Sequence, residues 1–422
     1  MQTKNQSLQL ASPHAIFDGL EHLTNPFQKK HFAVPPAVVA SDDSEKYAQD
    51  YEYAWKFLYS YNGSSATFNA YRREVERLLQ WAWVVQKQSI TDFKREDIEA
   101  FVRFCQKPPL SWVGTKNVSR FVTREGLRKA NTHWRPFVIN VSKVKSKHGT
   151  QPANTDYVFT QTGMRALFSV LSSFFNFLIQ EEVTESNPVL LIRQKSKFLQ
   201  TQHVKAPVRR ISQLQWEFVL ETAEQLAAKD ARHERTLFIM NCLFGLYLRI
   251  SELVADERST PMMGDFRKDS DGNWWLHVLG KGNKSRIVTV SDDMLAALMR
   301  FRASLGLSLL PTADDSSPLI PKNLGRGPIT STRQIRVIVQ NCFDLSYQRM
   351  RDEGFESDAS ELEVATVHWL RHTGISEDVK IRPREHVRDD AGHASMQTTD
   401  RYIDSDLRER HSSGKNKKII TP

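Results

Sequence analysis

The chain is short of the residues that build cross-linked or metal-organised proteins. Its 422 residues include three cysteines, Cys105, Cys242 and Cys342, far apart and each set in an apolar pattern. They make neither a disulfide framework nor a zinc-ligand spacing, and read as buried, reduced thiols. No stretch approaches the roughly 18 to 20 uninterrupted apolar residues that a membrane span needs. The longest apolar stretch, Leu167 to Ile179, is broken by serines and an asparagine. The opening Met1-Gln-Thr-Lys-Asn-Gln has no apolar signal-peptide core. The expectation is a cytoplasmic protein with no membrane partner. There is no internal repeat that would indicate a solenoid, and no compact carboxylate cluster of the kind a two-metal site uses.

Positive charge, by contrast, is plentiful. Lys and Arg number 58 against 49 Asp and Glu, for a net charge of +9. That balance favours a polyanionic partner without identifying one. Its distribution says more. Lys116, Arg120, Arg124, Arg128, Lys129, Arg135, Lys143, Lys145 and Lys147 face a single acid in that stretch, Glu125. Such a block is the footprint of phosphate-backbone contact. Trp112, Phe121, Trp134 and Phe137, interleaved among these charges, read as core residues rather than stacking platforms.

Periodicity divides the chain into five parts. Residues 1–44 read as a flexible arm with Pro26, Pro35 and Pro36. Residues 45–190 show helical patterns over 45–61, 67–87, 95–105 and 161–182, with an irregular excursion over 107–156. A basic linker, 191–211, carries Arg193, Lys195, Lys197, Lys205, Arg209, Arg210 and Pro207. Within 212–410, Ser212-Gln-Leu-Gln215 reads as a capping box opening a helix, and another helix runs over 234–247. A three-stranded meander follows, from Met263 through the Asp271-Gly272 and Gly280–Asn283 turns to Val290. Further helices are expected over 293–305, 332–351, from Val367, and near Pro383 and Thr398. Residues 411–422 form a basic tail.

The chemistry concentrates near the end. A helix from Val367 puts His368, Arg371 and His372 on one face, since residues three and four apart are neighbours there. Two imidazoles and a guanidinium so placed make an anion site, and arginine is well shaped to hold a phosphate through paired hydrogen bonds. Gly392-His393 follows, and Tyr402 lies nine residues beyond that histidine. Upstream lie Leu248-Arg249-Ile250-Ser251-Glu252-Leu253 and the turn Gly280-Lys281-Gly282-Asn283-Lys284. Arg249, expected on a helix that otherwise faces the core, needs a partner, which Glu252 can supply. The residues alone do not separate Lys281 from Lys284.

Taken together and in this order, these motifs resemble the tyrosine recombinase (phage integrase) signature. The specific motifs span residues 212–405, and residues 45–190 resemble the family by layout. The resemblance implies a mainly α fold with a small antiparallel sheet: an N-terminal helical core-binding domain and a C-terminal catalytic domain. It implies a site-specific DNA recombinase that cleaves and rejoins strands through a 3′-phosphotyrosyl intermediate, integrating or excising a mobile element. It assigns Tyr402 as nucleophile, Arg249 and Arg371 as the phosphate clamp, Lys281 as acid for the leaving oxygen, and His368 and His393 as hydrogen-bond and proton-transfer partners. Glu252 orients Arg249, and His372 reads as a packed neighbour. The block Lys116, Arg120, Arg124, Arg128, Lys129, Lys143, Lys145 and Lys147, with Arg209 and Arg210, is the expected surface for double-stranded DNA. The partners implied are duplex DNA and related subunits in a homo- or hetero-tetramer; no metal, nucleotide or other cofactor is implied.

Three positions depart from the family pattern: Tyr247 where glycine is usual, Ala391 where leucine is usual, and Gly374 where a large apolar residue is common. Two other readings fit the same motifs. One is a type IB topoisomerase-like strand transferase, and the other is a catalytically silent DNA-binding subunit of a recombination complex.

Overall fold

Helix start signals in the sequence are met by side-chain caps in the computed structural model. It describes residues 12–23, 25–26, 44–141, 149, 151–194, 209–280, 283–400, 402 and 414–415. The chain separates into two compact units, Met1–His203 and Val204–Pro422. The expected Lys143, Lys145, Lys147 and Lys281 lie outside the described residues, as do 195–208 of the expected linker and most of the two terminal segments.

The first unit is built on α1 (Ser44–Tyr59), α2 (Ser65–Gln80), α3 (Arg95–Gln106), α4 (Gln161–Gln180) and α5 (Pro188–Gln194). The Ser64 side chain caps α2 by accepting from Thr67 N–H, and Thr160 caps α4 by accepting from Gly163 N–H. Such caps satisfy amide groups that the first helical turn leaves without partners. Helix α4 is long and apolar enough to cross a membrane by length and composition, with half of its most apolar window buried in the protein. Its Leu167, Leu171, Phe174 and Leu178 are part of the unit's core, with Phe57, Leu78, Phe101 and Trp112.

The excursion over 107–156 is not the plain helical segment a compact bundle would carry. It holds a short parallel pair, β1 (Val113–Gly114) with β4 (Phe137–Val138), and between them an antiparallel ribbon, β2 (Phe121–Arg124) with β3 (Leu127–Ala130). Trp112, Trp134 and Phe137 are buried, as a core role requires.

The second unit carries α6 (Gln213–Lys229) and α7 (Glu234–Gly245), then the meander β5 (Phe266–Lys268), β6 (Trp274–Leu279) and β7 (Ser285–Thr289) in the order β5-β6-β7. After it come α8 (Asp292–Ser304), α9 (Thr332–Asp352), α10 (Glu356–Val364), α11 (Val367–Ile381), α12 (Arg384–Ala391) and α13 (Met396–Asp400). The Ser212–Gln215 capping box opens α6 as its sequence requires.

Three local expectations are corrected. Helix α7 stops at Gly245, and Arg249 stands just before the 3-10 turn Ile250–Glu252 instead of on a helix. Tyr247 causes the break, with a left-handed φ of 49° that an α-helix cannot continue through. Met263–Asp265 is a 3-10 turn leading into β5, not a strand. Helix α10 occupies a stretch where no element was expected.

Candidate active site

The site forms where three backbone breaks bring side chains together. Arg371, in the first turns of α11, is 2% exposed. Its guanidinium donates to the carbonyls of Tyr247 and Ala391, and Nη2 lies 3.5 Å from His393 Nε2. Arg249 donates from Nη1 to Glu252 Oε1 at 3.0 Å and from Nη2 to the Gly392 carbonyl at 3.3 Å. Both guanidiniums therefore reach the same tight turn, on the carbonyls of adjacent residues 391 and 392. Gly392 can occupy that turn because its φ is 63° and because a Cβ there would lie 2.7 Å from Arg286 Cδ.

Tyr402 is 8% exposed and packs with Tyr247, Ile375, Val387 and Ala391 in a small apolar cluster. Its ring stacks on His393, with centroids 5.6 Å apart and planes 11° apart, and lies 5.1 Å from the His372 ring. His393 Nδ1 is 2.9 Å from Thr399 Oγ1. Arginine can only donate, so the tautomer that fits both neighbours carries its proton on Nδ1, towards Thr399. Its Nε2 lone pair then faces Arg371. His368 and His372 meet edge to face at 4.2 Å, and His372 Nδ1 is buried with no hydrogen-bond partner among the described residues.

Positive charge dominates the electrostatics. Burial, then the charge of Arg249, lowers the pKa of Arg371 to about 9, which leaves it charged at neutral pH. Burial, then Arg371 and Arg249, holds His368 below its ordinary value. Burial lowers His393 to about 4, with Arg371 next in weight, and lowers His372 to about 4, with His368 next. All three imidazoles are thus neutral at physiological pH. Burial would raise Glu252, yet hydrogen bonds from Arg286 and the charges of Arg286 and Arg249 hold it below the usual carboxylate range.

A pair of guanidiniums meeting at a Gly-His turn, with a tyrosine stacked on that histidine, is the arrangement the motif order implied. No family model matches the chain. It is 25% identical over 255 residues to tyrosine recombinase XerC of Chlorobaculum parvum, covering 56% of this chain and 67% of that protein. It is 30% identical over 135 residues to tyrosine recombinase XerD of Rickettsia prowazekii, covering 32% of this chain and 40% of that protein. Among solved structures, the XerH site-specific recombinase bound to palindromic difH substrate matches with a TM-score of 0.50 at 13% identity. That match covers 89% of this chain and 86% of XerH, and it is a likeness of fold. The chain is similar to tyrosine recombinases in sequence and in fold.

The protein braces this site with a residue the motifs did not single out. Arg286, on β7, donates from both terminal nitrogens to Glu252, at 2.8 and 2.7 Å, and from Nε to the Asp390 carbonyl at 2.9 Å. It ties the hairpin strand, the Arg249 turn and the end of α12 together. A sequence signal existed, since strand alternation puts Arg286 on the face of Val288 and Val290, both buried. The Asp390 carboxylate in turn accepts from Thr289 N–H at 3.2 Å and from Arg382 at 2.6 Å. Arg382 also donates to Asp378 and to the Tyr247 hydroxyl, each at 3.0 Å, and that hydroxyl donates to Asp378.

Two departures from the family pattern prove to be neighbours. A Cβ at Gly374 would collide with the Phe244 carbonyl and lie 3.2 Å from Tyr247 Cδ1. Helices α7 and α11 cross at this point with room for no side chain, and the Tyr247 ring occupies the adjacent volume. A large residue at 247 and none at 374 exchange the usual sizes across one contact.

The basic residues fall into three groups. Lys116, Arg124, Lys129 and Arg209 are exposed, and Arg210 is half-buried next to Ile211, whose N–H donates to Thr373 Oγ1 at 3.1 Å. Arg128 is exposed but makes two hydrogen bonds to Asp18, at 2.7 and 2.9 Å. Arg120 corrects the expectation. It turns inward to pair with Glu76 and covers the Trp134 ring at 4.7 Å, so it holds the fold instead of facing outward. Exposed Arg333 and Arg336, missed in the sequence, line a hollow of about 570 Å³ that opens beside His368 and Arg371.

Proposed function

We propose that this protein cleaves and rejoins duplex DNA at a specific site through a 3′-phosphotyrosyl intermediate, in the service of integrating or excising a mobile element. The supporting observation is the convergence of Arg249 and Arg371 on the Ala391–Gly392 turn, beside Tyr402 stacked on His393. A scissile phosphate fits between the two guanidiniums, which would neutralise the non-bridging oxygens as charge builds on them.

The Tyr402 hydroxyl oxygen attacks phosphorus, the bond from phosphorus to the 5′-oxygen breaks, and the 5′-hydroxyl leaves. His393 Nε2, unprotonated at neutral pH, takes the phenolic proton. Lys281 is assigned the proton for the leaving oxygen. Gly280, the residue before it in sequence, is beside the Arg249–Glu252–Arg286 cluster, where a Cβ would sit 3.4 Å from Glu252 Oε1. His368 donates a hydrogen bond to the phosphate. The phosphotyrosine keeps the free energy of the broken linkage, so a new 5′-hydroxyl restores the strand without a nucleotide. Strand exchange between two sites needs four such subunits, copies or relatives of this chain.

The test is a nicked suicide duplex carrying inverted half-sites from the DNA that flanks the gene. Wild-type protein should form a covalent adduct that survives denaturing electrophoresis, and Tyr402→Phe should form none. An adduct that persists in Tyr402→Phe would refute the assignment of the nucleophile. No adduct with wild type would leave a DNA-binding subunit.

A further inference from the structure

The ribbon inserted in the first unit is built to be rigid and to present charge. Strands β2 and β3 pair in register from Phe121↔Ala130 to Arg124↔Leu127. Glu125 and Gly126 join them with φ of 53° and 76°, a two-residue turn with both centres left-handed. That turn type matches the twist of a hairpin and fixes its register. The base is held as firmly. Asn131 N–H donates to the Arg120 carbonyl and Asn131 Nδ2 to the Ser119 carbonyl, both at 2.7 Å, while the Arg120 side chain is locked on Glu76 and Trp134.

The two faces of the ribbon differ. Phe121, Thr123, Arg128 and Ala130 share one face, and its charge is taken up by Asp18. Val122, Arg124, Leu127 and Lys129 share the other. There Arg124 and Lys129 are exposed with no carboxylate partner among the described residues, and Leu127 is 60% exposed at the tip. A hairpin that keeps an exposed leucine beside two cations with no carboxylate partner among the described residues is made to meet something. Lysine and arginine on a short ribbon oppose the addition of a further protein strand. A two-stranded ribbon fits the DNA major groove, where cations meet phosphates and an apolar side chain meets thymine methyl groups.

We propose that the Phe121–Ala130 ribbon is a DNA-reading element that enters the major groove, with Arg124 and Lys129 on the flanking phosphates and Leu127 against base edges. The inference rests on duplex DNA being the substrate and adds a contact that the catalytic motifs do not provide.

The experiment measures affinity of the full chain for a mixed-sequence duplex, several helical turns long, across a salt series. Arg124→Gln/Lys129→Gln should lower the slope of log K against log salt by about 1.8, or about 0.9 for each phosphate lost. Leu127→Ala should leave the slope unchanged and weaken discrimination between duplexes that differ in thymine content. A thermal melt checks that each variant is folded, as these exposed side chains allow. An unchanged slope in the double variant overturns the ribbon as a DNA contact. A reduced slope with unaltered discrimination in Leu127→Ala overturns its place in the groove. Adduct formation by wild type on the suicide duplex is scored in parallel. An adduct with an unchanged slope sinks the ribbon alone, whereas a reduced slope with no adduct sinks the recombination chemistry alone.

Discussion

Both units bury arginine, some of it against carboxylates and some against neutral oxygens, but only the second brings two guanidiniums to one turn. In the first unit Arg77 lies 2.8 Å from Glu74 and stacks over Phe137, and Arg120 is locked on Glu76. Glu74 also takes Arg73, and buried Arg72 is held instead by the Asp18 carbonyl and Asn69 Oδ1. The second unit pairs Arg302 with Asp315 at 2.7 Å, whereas Arg235 has the Pro321 carbonyl at 3.2 Å. At the site two guanidiniums crowd together. Arg371 is as buried as any of these, yet it is held by two neutral carbonyls. The nearest acid, Glu252, already serves both Arg249 and Arg286. A buried cation without a counter-ion costs several kcal/mol, and the scissile phosphate of the proposed reaction would supply the missing partner. Arginine burial marks nothing by itself, with or without a carboxylate, since Arg72 and Arg235 are also held by neutral oxygens; two guanidiniums converging on one turn mark the site.

The sharpest test is to remove the carboxylate from a paired arginine of the first unit. Glu76→Gln should cost about 3–5 kcal/mol of stability by stranding Arg120, read as a lower denaturant midpoint. It should leave Tyr402 chemistry unchanged in protein that remains folded. A midpoint within experimental error of wild type would mean that the Arg120–Glu76 pair is not what holds that unit.

The converse substitution is Arg371→Lys. It keeps a charge and a donor for one of the two carbonyls, so stability should change by no more than about 1.5 kcal/mol. The adduct-forming rate should fall about 10²- to 10³-fold, the usual loss when one group stabilising a transition-state oxyanion is removed. Equal losses of rate and stability would make Arg371 a structural residue like Arg302.

Legibility in the sequence follows the same division. His368, Arg371 and His372 could be read because one helical turn fixes their common face, and Gly392-His393 because a left-handed turn favours glycine. The helix expected at Arg249 was wrong because Tyr247 takes a backbone conformation rarely adopted by bulky residues. The inward turn of Arg120 was hidden because its partner, Glu76, is 44 positions earlier. Arg286 was legible in principle from strand alternation, but the charged turn before it drew attention to the lysines. The ribbon went unread because its exposed strands lack the apolar alternation of a half-buried sheet. Local geometry was therefore readable, whereas the pairings across the fold that decide which charges are spent were not.

A smaller effect should come from the helix crossing beneath the site. Gly374→Ala drives a methyl group into the Phe244 carbonyl, and backbone cannot yield as a flexible side chain can. A destabilisation of about 1–3 kcal/mol is expected, with slower adduct formation because α11 carries Arg371. Unchanged stability in a denaturant titration would show that the two helices separate at little cost, and that the size exchange with Tyr247 is incidental.

The smallest effect, and the one that bears most directly on the comparison, is a pair of opposed pH dependences. In the first unit, burial raises Asp50 from 3.8 to about 6, despite its bonds from Trp83, Ser89 and Ile90. The folded state therefore holds that proton more tightly than the unfolded chain, and the contribution is lost as pH rises from 3.8 to about 6. In the second unit, His372 and His393 are lowered from 6.5 to about 4. There the unfolded chain takes up protons first, so stability is lost as pH falls from 6.5 to about 4. Hydrogen-exchange protection, followed separately in the two units between about pH 4 and 6, should fall with rising pH around Asp50 and rise with it around α11. Asp50→Asn should flatten the first trend and His372→Gln should weaken the second. Parallel trends in both units would mean that burial beside other positive groups does not keep the site's histidines neutral, and the contrast between Asp50 and the histidines would fail.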